Sequence, residues 1–317
     1  MPARHTMGID LGGTTTSLAV VDAQNNIAEK QTFPTQAEAG FDDVLDRMRG
    51  AAAPALKKYG CEAVGVAAAA QVDVEAGVLV ASPNLRFADE PLKARLRDAF
   101  GLPVIVENDV NAAAYGEYLA APGAREPLLA TFVGTGVGGG LVANGEIFRG
   151  AEGYAGEIGH VPVVAEGGEL CGCGRRGCAE AYAGGVSIVR RANDGRRGDE
   201  REAQPFHDVN DVVRAAERGD AGCAKVLDEA AYYLGVALAA AVNLLNPGTL
   251  VIGGGVARAW PALVPRAAER MKKSALAPML TSLTTRRAAL DAWAGVVGAA
   301  ALARGVLGPQ GRRKRPV

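Results

Sequence analysis

No stretch of this 317-residue chain holds eighteen apolar residues without interruption, so no segment reads as a membrane-spanning helix. The apolar run near the C-terminus, Ala292 to Ala303, is too short to cross a bilayer. A glycine-rich loop interrupts the first twenty residues, where a signal peptide needs an unbroken apolar stretch. Five cysteines do not make a disulfide-dense secreted scaffold. The chain therefore reads as cytoplasmic, without a membrane partner, and its cysteines as thiols or metal ligands. An excess of one charge is also missing: 34 basic residues face 35 acidic ones, and four of the bases are Arg312, Arg313, Lys314 and Arg315. Without them the body carries 30 minus 35, or −5, which gives nucleic acid no footprint. The basic run, within 307–317, reads as a solvated tail.

What is abundant is glycine. Its 42 of 317 residues are near twice the roughly 7% of an average chain, which points to backbone positions where a side chain would block a ligand or a tight turn. The length exceeds the roughly 250–300 residues at which one hydrophobic core stops growing, so two lobes are expected. The boundaries expected are 1–118 for an N-terminal α/β lobe, joined by a C-terminal helix over 291–306, and 119–290 for a second lobe.

The chain repeats its own opening. Met7 to Leu11 is a short apolar run ended by Gly12-Gly13-Thr14-Thr15-Thr16, and Ser17 to Val21 resumes a strand pattern. More than a hundred residues later, Leu128 to Val133 leads into Gly134-Thr135-Gly136-Val137-Gly138-Gly139-Gly140 and a second turn at Asn144-Gly145. Two copies of strand, Gly/Thr loop and strand predict a duplicated α/β protein with a ligand gripped between its lobes. Buried strands are expected at Val64–Ala69, Val104–Glu107 and Thr249–Ile252, with helices over Phe41–Tyr59, Asn111–Leu119, Cys223–Leu245 and Ala292–Val306. The charged stretch Arg190 to Asp208 reads as an exposed loop.

Gly134, Gly136 and Gly139 satisfy the dinucleotide pattern G-x-G-x-x-G, with Glu157 about 20 residues further on. The match reads as accidental, because that loop must open a helix and Asn144-Gly145 between apolar runs is a hairpin turn. Neither loop carries the Gly-Lys-Ser/Thr of a Walker A. Two lysine-free Gly/Thr hairpins remain, whose N–H groups and hydroxyls suit a polyphosphate with a metal ion supplying positive charge.

Five motifs, in order, are Asp10-Leu11-Gly12-Gly13-Thr14, Glu107-Asn108-Asp109-Val110-Asn111, Gly134 to Gly140, Gly156-Glu157-Ile158-Gly159-His160, and Cys171-x-Cys173-Gly174-x-x-Gly177-Cys178. Together they resemble the ROK family of sugar kinases and repressors, over about Met7 to Ala303. The resemblance implies a two-lobed actin-like ATPase fold, of the ribonuclease H-like, sugar kinase/Hsp70 type, with duplicated α/β lobes and a C-terminal helix returning to the first lobe. It implies ATP-dependent phosphorylation of a hexose, glucose foremost, with an N-acetylated amino sugar as the alternative. A sugar-sensing repressor is the alternative of another class, but only nine residues precede Asp10, too few for a helix-turn-helix segment. A homo-oligomer, a dimer or dimer of dimers, is expected. One stretch departs from the usual pattern: Ala68-Ala69-Ala70-Gln71 stands where many members have Pro-Gly-Pro.

Asp109 follows the apolar run Val104 to Val106 and precedes a helix, where strand ends meet a ligand crevice. From its neighbours alone it would be a helix N-cap. By resemblance it is the base that accepts the 6-hydroxyl proton, with Asn108, Glu157, His160 and Glu180 on the sugar. The resemblance also makes Asp10, Gly12, Gly13, Thr14, Thr15, Gly134, Thr135 and Gly136 the phosphate and Mg²⁺ side of an ATP site, with Gly254 and Gly255 on its adenosine side. His160, Cys171, Cys173 and Cys178 form a Cys₃His set, which is closed tetrahedral zinc chemistry without a vacancy for water and hence structural.

Overall fold

The computed structural model describes residues 4–82, 84–196 and 204–307. The chain divides into two compact units, one from Met1–Pro122, Glu146–Ala155 and Ala292–Val317, the other from Gly123–Gly145 and Gly156–Asp291. In the first, β1 (Thr6–Leu11), β2 (Thr15–Val21) and β3 (Ile27–Pro34) run antiparallel in succession, and α1 (Phe41–Tyr59) crosses to β4 (Val64–Ala68), parallel to β1. A separate antiparallel sheet follows from β5 (Gln71–Asp73), β6 (Val78–Ser82) and β7 (Phe87–Glu90). Helix α2 (Leu92–Phe100) returns the chain to β8 (Val104–Asn108), parallel to β4, and α3 (Asp109–Leu119) starts where β8 ends. The sheet order is β3-β2-β1-β4-β8.

The second sheet comprises β9 (Leu128–Val133), β10 (Val137–Ala143), β11 (Glu146–Ile147), then β12 (Thr249–Gly253) and β13 (Thr284–Arg287), in the order β11-β10-β9-β12-β13. Between β11 and β12 come α4 (Glu180–Ala183), α5 (Gly185–Asp194), α6 (Val209–Glu217) and the long α7 (Ala221–Leu245); α8 (Gly255–Ala259), α9 (Leu263–Ser274) and α10 (Ala277–Leu280) precede β13. The two sheets match place for place: β10 pairs antiparallel with β9 as β2 does with β1, and β12 and β13 run parallel where β4 and β8 do. This duplication is the actin-like ATPase fold. Asn144 and Gly145 both take positive φ, 55° and 73°, between β10 and β11, as an Asn-Gly hairpin turn requires. The chain continues from Gly134–Gly136 into a strand, so the dinucleotide reading fails as expected.

Helix α11 (Ala294–Val306) explains part of the glycine content. It is buried along Ala294 to Ala300 and packs on β1, β4 and α3. A Cβ at Gly298 would overlap the carbonyl of Ala112 on α3, and one at Gly8 the carbonyl of Val296, so helix and sheet backbones meet at distances that only glycine permits.

The loop expected over Arg190 to Asp208 is corrected at its start: Arg190 to Asp194 are the last turns of α5. Ile188 and Ala192 face the core, while Arg190 pairs with Glu169 and Asp194 and Arg191 with Glu229. The charges that suggested a loop are the outer face of an amphipathic helix. Residues 197–203 and the basic tail from 308 lie outside the described residues.

Candidate functional site

The end of β8 carries the first group of residues. Asn108 leaves the strand with β-region dihedrals, and its Oδ1 accepts from the backbone N–H groups of Val110 and Asn111, each at 3.0 Å. Asn108, not Asp109, is therefore the N-cap of α3. Asp109 is the first helical residue, and its Oδ1 accepts from Val110 N at 2.9 Å and from Asn108 Nδ2 at 3.0 Å. The second Nδ2 hydrogen of Asn108 goes to Ala70 O at 3.1 Å. Asn108 thus holds the Asp109 carboxylate as well as the helix end.

Beneath them sits Glu107, 1% exposed, whose Oε1 accepts from Asn108 N at 3.1 Å and from Asn111 Nδ2 at 3.4 Å. Its Oε2 accepts from Nε of Arg149 at 2.9 Å and from the same guanidinium's Nη2. Sequence reasoning quoted Glu107 only as part of a motif and missed Arg149, which lies in no recognisable pattern.

Asp10, at the end of β1, is partly buried. Loss of hydration, reinforced by the nearby Asp109 charge, pushes its carboxyl from 3.8 up to about 7. In the adjoining turn Gly12 N donates to Thr15 O at 3.2 Å, while Thr35 closes the far side through Oγ1 to Gly12 O at 2.7 Å. Thr14 and Thr15 are exposed, and Gly12 and Gly13 are half-buried. Two carboxylates that repel each other beside an N–H-rich turn form a hard-oxygen set that fits Mg²⁺.

In the second unit, Gly134, Thr135 and Gly136 make the β9–β10 turn, with Gly134 N donating to Gly136 O at 2.9 Å and Thr135 exposed. The carbonyls of Gly134 and Thr135 accept from Gly185 N and Val186 N at the start of α5. Gly254 has φ 97° and lies so close to β9 that an added Cβ would stand 2.6 Å from Val133 N, while Gly255 begins α8. The parallel β9–β12 pairing therefore brings the Gly134 and Gly254 loops side by side.

Glu157 and His160 flank one 3₁₀ turn, Ile158–His160, which puts Nε2 of His160 3.8 Å from Oε2 of Glu157. The other ring nitrogen, Nδ1, is 3.7 Å from Cys171 Sγ, and the Sγ atoms of Cys173 and Cys178 are 3.8 Å apart. All four ligand atoms lie within 4.8 Å of one another. A tetrahedron with Zn–S of about 2.3 Å and Zn–N of about 2.0–2.1 Å has S···S edges of about 3.8 Å and S···N edges of about 3.6 Å. The set fits zinc, and one imidazole can serve both the metal and, through Nε2, a substrate. Burial raises the Cys171 and Cys178 thiols, Cys171 to about 12, while the N–H of Arg175 draws Cys173 down. Glu180 opens α4 with its Oε2 accepting from Val137 N at 2.9 Å and its Oε1 3.4 Å from Cys171 Sγ. It links the cysteine loop to the Gly134–Gly136 turn, a role the sequence did not suggest.

A duplicated actin-like fold with a carboxylate at the end of a parallel strand and glycine turns free of lysine defines a phosphotransferase of the ATPase and sugar-kinase class. The ROK family profile matches residues 6–306, and the chain belongs to that family. It is 38% identical to a glucokinase of Halalkalibacterium halodurans, over 94% of each chain. Among solved structures it resembles a ROK family glucokinase from Streptomyces griseus in complex with glucose and AMPPNP, with a TM-score of 0.81 and 32% identity over 95% of this chain and 99% of the other. A ROK hexokinase from Thermus thermophilus gives a TM-score of 0.80 and 34% identity over 96% and 99%. No helix among the described residues is long and apolar enough to cross a membrane.

Proposed function

We infer that this protein is an ATP-dependent sugar kinase that transfers the γ-phosphoryl group of ATP to the 6-hydroxyl of glucose. The observation that carries this reading is the Asp109 carboxylate, held by Asn108 and by the N–H of Val110 at the end of β8. It is supported by the Streptomyces griseus relative, a glucokinase in complex with glucose and an ATP analogue. Asp109 takes the hydroxyl proton as the new C6–O–P bond forms and the β–γ bridge of ATP breaks, leaving ADP. In a loose transition state that proton moves late, so a strongly basic carboxylate is not needed.

Glu157, His160 through Nε2, Asn108 and Glu180 supply the polar contacts for the sugar. The turns Gly12–Thr15 and Gly134–Gly136, with the N–H groups of Gly13 and Gly136 and the hydroxyls of Thr14, Thr15 and Thr135, receive the polyphosphate, and Gly254 and Gly255 the adenosine. Asp10 would hold Mg²⁺, which would offset phosphate charge. His160, Cys171, Cys173 and Cys178 would hold a structural zinc, which would fix the loop leading to Glu180. The protein acts on small molecules in the cytoplasm and as a homo-oligomer, without nucleic acid or membrane.

The test is ADP release from purified protein with Mg²⁺·ATP across hexoses and N-acetylhexosamines. The expected result is a kcat/KM for glucose above that of every other sugar. Preference for an N-acetylated sugar would reassign the substrate, and no release with any sugar would overturn the kinase reading in favour of a sugar-binding regulator.

A further inference from the structure

We propose that Arg149 is a positioning residue for phosphoryl transfer, acting through Glu107 to hold the Asn108–Asp109 junction in its reactive geometry. The inference rests on the kinase reading for its catalytic meaning, and on geometry for the rest.

Glu107 is a carboxylate almost wholly removed from solvent, the penultimate residue of β8, next to buried Val106 and in register with buried Ala67 of β4. Such a group holds its place only with a cation and hydrogen bonds around both oxygens. Arg149 supplies the cation, with Nε and Nη2 on one edge of its guanidinium converging on Oε2, a pair of fixed donors that the point charge of a lysine does not reproduce. With Oε2 secured, Oε1 is directed to Asn108 N and to the amide of Asn111. Those two residues are the N-cap of α3 and the third residue of its first turn, and Asp109 lies between them. The orientation of the Asp109 carboxylate therefore descends, through Glu107, from a guanidinium 42 residues from Glu107 in sequence.

Arg149 is itself held. Its Nη1 lies 3.4 Å from Ile147 O, and its carbonyl accepts from Ala155 N at 3.0 Å, which closes the segment 149–155 into a loop. That loop belongs with the first unit although the residues before 146 and after 155 belong to the second. The segment that carries Arg149 thus groups with the unit that carries Glu107 and Asp109.

The experiment compares wild type, Arg149→Met, Arg149→Lys and Arg149→Ala. With Arg149→Met, kcat for the accepted sugar should fall about 30-fold or more while KM for ATP stays within about twofold, the split expected when transition-state alignment is lost and nucleotide binding is not. Arg149→Lys, which keeps charge and packing, should recover part of that loss, and added guanidinium at non-denaturing concentration should raise the rate of Arg149→Ala but not that of wild type. If Arg149→Met fails to fold, Arg149→Lys carries the test with an expected kcat loss of about tenfold.

Hydrogen exchange on ligand-free protein is the second readout and needs no substrate. The amides of Val110 and Asn111, both bonded to Asn108 Oδ1, should exchange about tenfold faster in Arg149→Lys while those of β1 and β4 do not change. Unchanged kinetics and exchange would overturn the proposal. So would a uniform rise in exchange across the first unit with both KM values raised alike, which assigns Arg149 to general stability. Failure of wild type to phosphorylate any sugar would sink the kinase reading while the exchange result still decided whether Arg149 orders the junction.

Discussion

Replacing Asp10 by asparagine should stabilise the ligand-free protein at alkaline pH while abolishing most of its turnover. Its carboxyl is pushed from 3.8 to about 7, first by loss of hydration and then by the charge of Asp109. Below pH 3.8 the group is protonated in both folded and unfolded chains, and it contributes no difference. Between 3.8 and about 7 the unfolded chain ionises while the folded one retains its proton, so stability falls as pH rises. A displacement of about three pH units at about 1.4 kcal/mol each amounts to about 4 kcal/mol at pH 8. Asp10 keeps a partial opening to solvent, which makes this an upper bound. Asparagine has a similar shape and no charge, and should return roughly 2–4 kcal/mol, or roughly 5–10 °C in Tm for a unit of this size. The assay is thermal unfolding of both proteins at pH 5 and pH 8 without nucleotide. The Tm gap should be large at pH 8 and much smaller at pH 5. Saturating Mg²⁺·ATP should raise the wild-type Tm more than that of the variant, because bound cation favours the ionised carboxylate. A gap independent of pH, or an asparagine variant less stable at pH 8, would refute the argument that Asp10 is held in the fold at an electrostatic cost.

Asp109→Asn should lower kcat by at least roughly 10² with sugar and ATP affinities within several-fold, and near wild-type turnover would remove it as the base. Purified protein should contain one zinc per chain by elemental analysis, and Cys173→Ala should lose it together with part of its glucose affinity; a metal-free preparation with full affinity would contradict the zinc assignment. Because Glu180 touches both Cys171 and Val137, the same variant should also weaken ATP binding, by less than sugar binding, as read by calorimetry. Gly298→Ala should cost roughly 1–3 kcal/mol in unfolding experiments through overlap with the Ala112 carbonyl, and an unchanged melting curve would show that α11 can shift to accommodate it.

Much of this architecture is local in origin and so was legible from the residues alone. Gly12-Gly13-Thr14 and Gly134-Thr135-Gly136 stand between apolar runs of strand length, and a hairpin is the short-range solution to that pattern. The span of α1 follows from apolar spacing and ends at Gly60, which takes the left-handed conformation a helix C-terminus favours. The cysteine spacing with His160 eleven residues before it specified a four-ligand set whose atoms the fold brings within 4.8 Å. Charge, by contrast, misled over Arg190 to Asp194. The partners Glu169 and Glu229 lie far along the chain, and without them an arginine-rich helix face resembles a loop.

Residue order determined that this is a duplicated α/β protein with two glycine turns and a cysteine-histidine cluster, because each of those features is encoded within a few neighbouring residues. Only the tertiary structure decided that Asn108 caps α3 while Asp109 follows it, since both residue types suit a cap and the choice depends on where β8 stops. It alone placed Glu180 between Val137 and Cys171, and Arg149 beneath Glu107. The contacts of Glu180 with Val137 and of Arg149 with Glu107 join residues 43 and 42 positions apart, and such pairings are set by how strands and loops pack rather than by any local preference of the chain.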